Sequence, residues 1–293
     1  MKMKIGIDSY CFHRFFGEGY PGQDEPENIM TTDDFLEKAK ELRVDGVSLE
    51  SCFLPSFEES YLTELKAKLD AYGFDRVYAW GHPNGLERGQ NEEAFKDMCN
   101  SISRAKLIGA NVMRVCGSSS AFLHEPHEPQ IKALITKFRK AMKVADEYGV
   151  KLAIENHHDY NATEILQIIE GVESPNFGLT FDTGNFLRLM DDPVSAMEKL
   201  AKYTFATHIK DLDVNRTACP NEWNFFSGVP VGRGLIDHTK LIKLLKDANY
   251  QGLLAIEVDY PHPDWFDCED EVVSLSVKSL RNITNTLRRT NNT

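Results

Sequence analysis

Eight times along the chain a short apolar run is followed by a stretch with helical periodicity, and this alternation constrains the fold more than any other feature. The runs are KIGIDS (4–9), GVSLE (46–50), RVYAWG (76–81), VMRVCG (112–117), KLAIEN (151–156), FGLTFD (177–182), TFATHI (204–209) and LLAIEV (253–258). Runs of this length and composition read as strands, and the segments between them, such as DDFLEKAKEL and EEAFKDMCNSISRAKLIG, carry apolar residues at helical spacing. A steady strand–helix repeat implies parallel pairing, and eight units closing on themselves make an α/β fold, the (β/α)8 TIM barrel. An open doubly wound sheet is disfavoured because no G-x-G-x-x-G turn follows the first run. The expectation is one domain over residues 1–293, with the terminal TNNT fraying.

The connections fall into two kinds. Those leading from helix to strand are short and marked by glycine (RVDG, YGFD, IGAN, YGVK, NYQG), whereas residues 10–32, 117–128, 210–236 and 259–268 form long segments after strands. In a barrel all the long segments lie at the C-terminal ends of the strands, the face that carries active sites. The formal charge of −12 opposes binding to nucleic acid, and lysines and arginines alternate with acids along helical faces instead of forming a basic patch. The six cysteines are widely spaced, without a C-x-x-C pair, and read as reduced thiols. MKMKIGIDSY contains no apolar signal core, and no run approaches a membrane-spanning length, so a cytoplasmic protein without a membrane partner is expected.

Four successive strands each end on a residue able to bind a metal: Glu155 in AIEN, Asp182 in TFDT, His208 in ATHIKD and Glu257 in AIEV. A single strand-end acid is usually a helix cap or an ion-pair partner; four on consecutive strands are poorly explained that way. In a closed barrel these ends converge, and three like charges in one pocket call for a cation. Three carboxylates and one imidazole make a hard site for one divalent ion, with Mn²⁺ favoured and Mg²⁺, Co²⁺ or Zn²⁺ accommodated. Positions left open at such an ion suit a bidentate hydroxy-ketone.

The segments LAIENH (152–157), LTFDTGN (179–185), THIKD (207–211) and VPVGRGLIDHTKLIKLLKDANYQGLLAIEV (229–258) resemble the sugar phosphate isomerase/epimerase superfamily, the xylose isomerase-like barrels. The resemblance implies that Glu155, Asp182, His208 and Glu257 hold one divalent metal and that Glu155 and Glu257 act as acid and base on opposite sides of the substrate. Removing a proton next to a carbonyl is the chemistry such residues suit. Its return to the opposite face gives an epimer, to the neighbouring carbon an isomer; loss of a β-substituent gives elimination. A DNA-repair endonuclease sharing the barrel has a histidine where this chain has Asn185 and an Asp-x-His pair that residues 211–236 lack. A metal-binding barrel without catalysis, such as a sugar sensor, would keep the same ligands.

Around these ligands, His157 is expected to contact substrate or act as general acid, whereas His158 reads as a surface-loop histidine. Asn156, Glu50 and His82 are further candidates for sugar hydroxyls. Lys210 and Asp211 are candidates to orient His208 through its second nitrogen or to touch substrate. His13 and Arg233 are the basic groups available for an anionic substrate part, and Trp265, in YPHPDWF, belongs to aromatic loops suited to stacking on a sugar or an aryl aglycone. With no phosphate cradle in evidence, the expected partner is a non-phosphorylated keto-sugar or inosose, turned over by a metal-dependent isomerase or epimerase. A lyase opening 3-oxo-glycosides is the alternative. The expected assembly is a homo-oligomer, or a hetero-oligomer with a small subunit for a deglycosidase.

Overall fold

Eight short strands, all of them buried in their C-terminal halves, close into a parallel barrel: β1 (Lys4–Asp8), β2 (Gly46–Glu50), β3 (Asp75–Ala79), β4 (Val112–Cys116), β5 (Lys151–Glu155), β6 (Phe177–Asp182), β7 (Thr204–Ile209) and, after a hairpin of β8 (Asp211–Val214) and β9 (Phe226–Val229), β10 (Leu253–Ile256). The order around the barrel is β1-β10-β7-β6-β5-β4-β3-β2, so β10 closes it between the first strand and β7. This computed structural model describes residues 2–289; the expected fraying of TNNT falls on residues 290–293, outside the described residues.

The outer ring is built from α1 (Thr32–Glu41), α2 (Glu59–Tyr72), α3 (Glu92–Leu107), α4 (His127–Tyr148), α5 (Ala162–Val172), α6 (Thr183–Arg188), α7 (Pro193–Leu200), α8 (His238–Asp247) and α9 (Glu269–Arg289). Local chemistry sets their ends. Thr31 with Asp34 and Asn161 with Glu164 form reciprocal capping boxes that satisfy the first amides of α1 and α5. Gly73 and Gly149 end α2 and α4 in the left-handed conformation that costs glycine little. The layer between strands and helices is apolar, with Leu36, Leu65, Ile102, Phe138, Ile165 and Leu245 among its buried side chains.

The long segment 210–236 is therefore not all loop. Its two strands pair antiparallel and are joined by a loop that carries Trp223. Four-residue strands on a surface hairpin leave too little apolar alternation to be seen in sequence. The pair stands at the C-terminal mouth and is anchored from below: the two carboxylate oxygens of Asp211 accept from the backbone N–H groups of Gly232, Gly234 and Ile236.

Candidate active site

Asp182 closes β6 and caps α6, its Oδ1 accepting from the amides of Gly184 (2.8 Å) and Asn185 (2.9 Å). Its Oδ2 points the other way, into the barrel, and accepts no hydrogen bond. One carboxylate thus serves as helix cap and site residue together, because its two oxygens face different structures.

Register brings the neighbours to the same height. Asp182 pairs with His208 across β6 and β7, His208 with Ala255 across β7 and β10, and Glu155 ends β5 opposite Cys116. Glu155, Asp182, His208 and Glu257 each present one ligand atom, and these four atoms lie within 4.8 Å of one another. His208 Nδ1 stands 3.0 Å from Glu155 Oε1, 3.3 Å from Glu257 Oε2 and 3.8 Å from Asp182 Oδ2. All four side chains are almost completely buried.

The carboxylates are not bare. The Lys210 ammonium lies 3.0 Å from Asp182 Oδ2, 2.7 Å from Glu257 Oε2 and 2.7 Å from Asp259 Oδ2. On the other side Arg114, inside β4, reaches Glu155 Oε2 through Nε (2.9 Å) and Glu50 Oε1 through Nη2 (2.7 Å). Arg188 binds Asp259 through both guanidinium nitrogens. Burial raises every acid in such a place, and the local cations decide which remain ionised. For Asp182 burial wins over Lys210 and pushes the carboxyl up to about 7. Glu50 is likewise pushed by burial up to about 8, against Arg114. For Glu155, burial is outweighed by Arg114 and His208, and for Glu257 by His208 and Lys210, so both stay below the ordinary carboxylate range. Of the three converging acids Asp182 alone is raised, with Glu257 and Glu155 adding to the effect of burial.

A divalent cation fits this donor set. Glu155, Asp182, His208 and Glu257 crowd their ligand atoms together in a buried place, where a dication would favour the ionised form of Asp182 that burial opposes. Asp182 Oδ2 and Glu257 Oε2 lack an aligned hydrogen-bond donor, as oxygens kept for a metal would.

Above the cluster opens a cavity of about 500 Å³. Among the expected contacts, Glu50, His82, His157, Lys210 and Glu257 line it. Others lie elsewhere. Asn156 is fully buried behind Glu155, where its amide donates to the carbonyl of Asp182 and accepts from its N–H, both at 2.9 Å, clamping β5 to β6. Asp211 holds the 232–236 turn and approaches His238, not His208. Alternation explains both: residues 155 and 157, or 208 and 210, share a face, and 156 and 211 take the other. His13 is buried against Tyr10 and Tyr20, its nitrogens engaged by the Tyr10 carbonyl and Gln23. Arg233 stacks over Trp265 at 5.2 Å, and neither reaches the cavity; Trp223 from the hairpin is the tryptophan on its wall.

His158 also corrects the reading of a surface-loop residue. It lines the cavity, stacks in parallel on His157 (5.4 Å) and packs against Trp223 (5.7 Å), with Nε2 2.6 Å from Asn185 Oδ1. Its φ of +54° is uncommon for histidine. Residues not anticipated from sequence are Asp8, Tyr20, Arg114, Arg188 and Asp259. Two of them left a signal: KIGID ends on a carboxylate as FGLTFD does, and an arginine inside the apolar run VMRVC demands a buried partner.

A sequence profile described as xylose isomerase-like TIM barrel matches residues 36–283. The chain belongs to that family. Among its relatives in the family, 3-oxo-isoapionate decarboxylase from Pectobacterium atrosepticum is 24% identical over 163 residues, 55% of this chain and 56% of that protein, so the chain aligns with little more than half of that relative's length. Inosose dehydratase from Clostridium beijerinckii is 25% identical over 217 residues, covering 67% of this chain and 72% of the relative. The solved structure of the IOLI protein with a bound zinc atom shares the barrel with a TM-score of 0.75 at 16% identity, covering 97% of this chain and 99% of that one. No helix among the described residues is long and apolar enough to cross a membrane.

Proposed function

We propose that this barrel is a divalent-metal-dependent enzyme that enolises a non-phosphorylated keto-sugar or inosose. One observation carries the reading: Glu155, Asp182, His208 and Glu257, from the ends of four different strands, bring their ligand atoms within 4.8 Å of one another, and Glu257 joins this cluster to a cavity sized for a monosaccharide or a somewhat larger ligand. These four residues would hold the ion. Bound there, it would stabilise the negative charge that develops on a substrate carbonyl oxygen when the adjacent carbon loses its proton.

The chain's own groups supply the rest. Glu257 is the one carboxylate of the four that lines the cavity, so it is the group placed to take the C–H proton. Lys210, held by Asp259, supports the ionised state of Glu257. Tyr10, Tyr20, His158 and Trp223 wall the cavity. His157, whose Nδ1 is buried and unpartnered, serves the substrate oxygen that takes up a proton.

The first reading is isomerisation or epimerisation, in which the second glutamate acts from the opposite side. A specific observation favours elimination as the second reading. Glu155 does not line the cavity whereas Glu257 does, which suits Glu155 better as a ligand than as a proton carrier. With Glu257 alone on the substrate, the pair of electrons left by its C–H proton would expel a β-hydroxyl or β-alkoxyl, released as water or alcohol. The inosose dehydratase relative lends this reading support.

The test incubates metal-loaded protein in heavy water with a ketohexose, an inosose and a 3-oxo-glucoside. Deuterium incorporation with an isomeric product supports the first reading, and loss of water or release of the aglycone the second. Absence of bound metal in unchelated protein, together with no exchange in any of the three sugars, overturns both.

A further inference from the structure

The four-ligand cluster leaves one part of its histidine unexplained. His208 turns Nδ1 toward Glu155, Glu257 and Asp182, while Nε2 points back toward the first strand and makes no hydrogen bond. Facing it, 3.5 Å away, is Oδ2 of Asp8, itself buried and without a hydrogen bond. Both side chains are about as buried as side chains can be, 1% and 0% exposed. A donor and an acceptor buried opposite one another are poised to pair, since leaving both unmet costs free energy.

The placement follows from the closure of the barrel. Strand β10 pairs with β1 on one side and β7 on the other, and Ile7 lies opposite Ile256, Ala255 opposite His208. Asp8, the last residue of β1, therefore ends up across the barrel corner from the imidazole. It is held there because its other oxygen, Oδ1, accepts from the Tyr10 amide at 2.6 Å and caps the turn of helix over Ser9–Phe16.

We propose that Asp8 is a positioning residue for the metal centre: by accepting the Nε2 proton of His208 it fixes the tautomer that leaves the Nδ1 lone pair directed at the three carboxylates. This rests on the metal-dependent reading above. An imidazole has one proton to place when neutral, and its lone pair sits on the other nitrogen. Were the proton on Nδ1, that nitrogen could donate to Glu155 but could not ligate a cation. A carboxylate behind Nε2 favours the ligating form and makes the imidazole a better donor. Lys210 and Asp211, the neighbours of His208 in sequence, are not available for this, since their charged ends bind Asp182, Glu257 and Asp259, and the 232–236 turn, respectively.

The test measures metal binding directly. Wild type, Asp8→Asn and His208→Ala are titrated with Mn²⁺ and with Zn²⁺ by calorimetry after chelation and desalting. The substituted asparagine keeps an oxygen for the Tyr10 amide but turns an NH₂ toward Nε2, which favours the wrong tautomer. The expected result is an affinity loss of about 10- to 100-fold in the Asp8 variant and a larger loss in the His208 variant. The second measurement needs no variant: in ¹⁵N-histidine protein loaded with Zn²⁺, His208 should show a protonated Nε2 and a metal-shifted Nδ1. Equal affinity of the folded Asp8 variant and the wild type, or a protonated Nδ1 in the zinc-loaded protein, overturns the proposal. If wild type itself binds neither ion, it is the metal-dependent reading that fails.

Discussion

Replacing Arg114 with methionine tests how the site is held together. The guanidinium bridges Glu50 and Glu155, whose side chains are 3% and 1% exposed, and it also donates to the Trp80 carbonyl at 3.0 Å. Methionine roughly keeps the volume but removes the charge, leaving two buried carboxylates without their partner. Breaking a buried ion pair on one side costs about 3–5 kcal/mol. Glu50, which burial raises to about 8, is already largely protonated at neutral pH and so has little charge to leave unpaired, and Glu155 keeps His208, so the lower end of that range is expected. For a chain of this size each kcal/mol lowers Tm by about 2–4 °C, which gives a drop on the order of 10 °C in chelator. Saturating divalent metal should narrow the gap, since a dication beside Glu155 replaces the lost charge, and at 100 times its Kd a ligand contributes about 2.7 kcal/mol to the folded state. Differential scanning fluorimetry of wild type and variant, each with EDTA and with Mn²⁺, reads both effects. A variant that melts within about 2 °C of wild type in EDTA would refute the electrostatic role assigned to Arg114.

Glu257→Gln should lower turnover by at least about 100-fold with the fold intact, measured as the rate of deuterium exchange into a sugar that the wild type enolises. Trp223→Ala should raise KM more than it lowers kcat, because Trp223 walls the cavity without touching the ligand cluster; an unchanged KM in steady-state kinetics would remove it from the binding site. Burial pushes Asp159 up to about 7 from an ordinary value near 3.8, so the folded chain keeps a proton that the unfolded chain releases. Its contribution to stability is therefore complete below about pH 4 and declines as pH rises toward 7. Asp159→Asn should flatten the urea midpoint between about pH 5 and 7.5 relative to wild type. Gly46→Ala should destabilise the barrel by about 1–3 kcal/mol, since an added Cβ would collide with the Asp75 carbonyl on the neighbouring strand, read as a lower urea midpoint with unchanged slope.

The barrel and its metal-type ligands were legible in the amino-acid order because both depend on short-range regularities. Alternating strand and helix patterns specify parallel closure, and closure alone makes the ends of β5, β6, β7 and β10 converge, so Glu155, Asp182, His208 and Glu257 could be grouped without coordinates. The two-residue period of a strand also held information that separates Asn156 from Glu155 and Asp211 from Lys210. What only the tertiary structure decided is who faces whom across the barrel. Arg114 meeting Glu50 and Glu155, Lys210 lying among three acids, and Asp8 standing behind His208 join residues from different strands and distant parts of the chain. No local pattern encodes such pairs, because they arise from strand register and the angle at which each side chain leaves the sheet. The cavity wall is likewise set by long loops, where Trp223 rather than Trp265 turns inward because the β8–β9 hairpin holds it there.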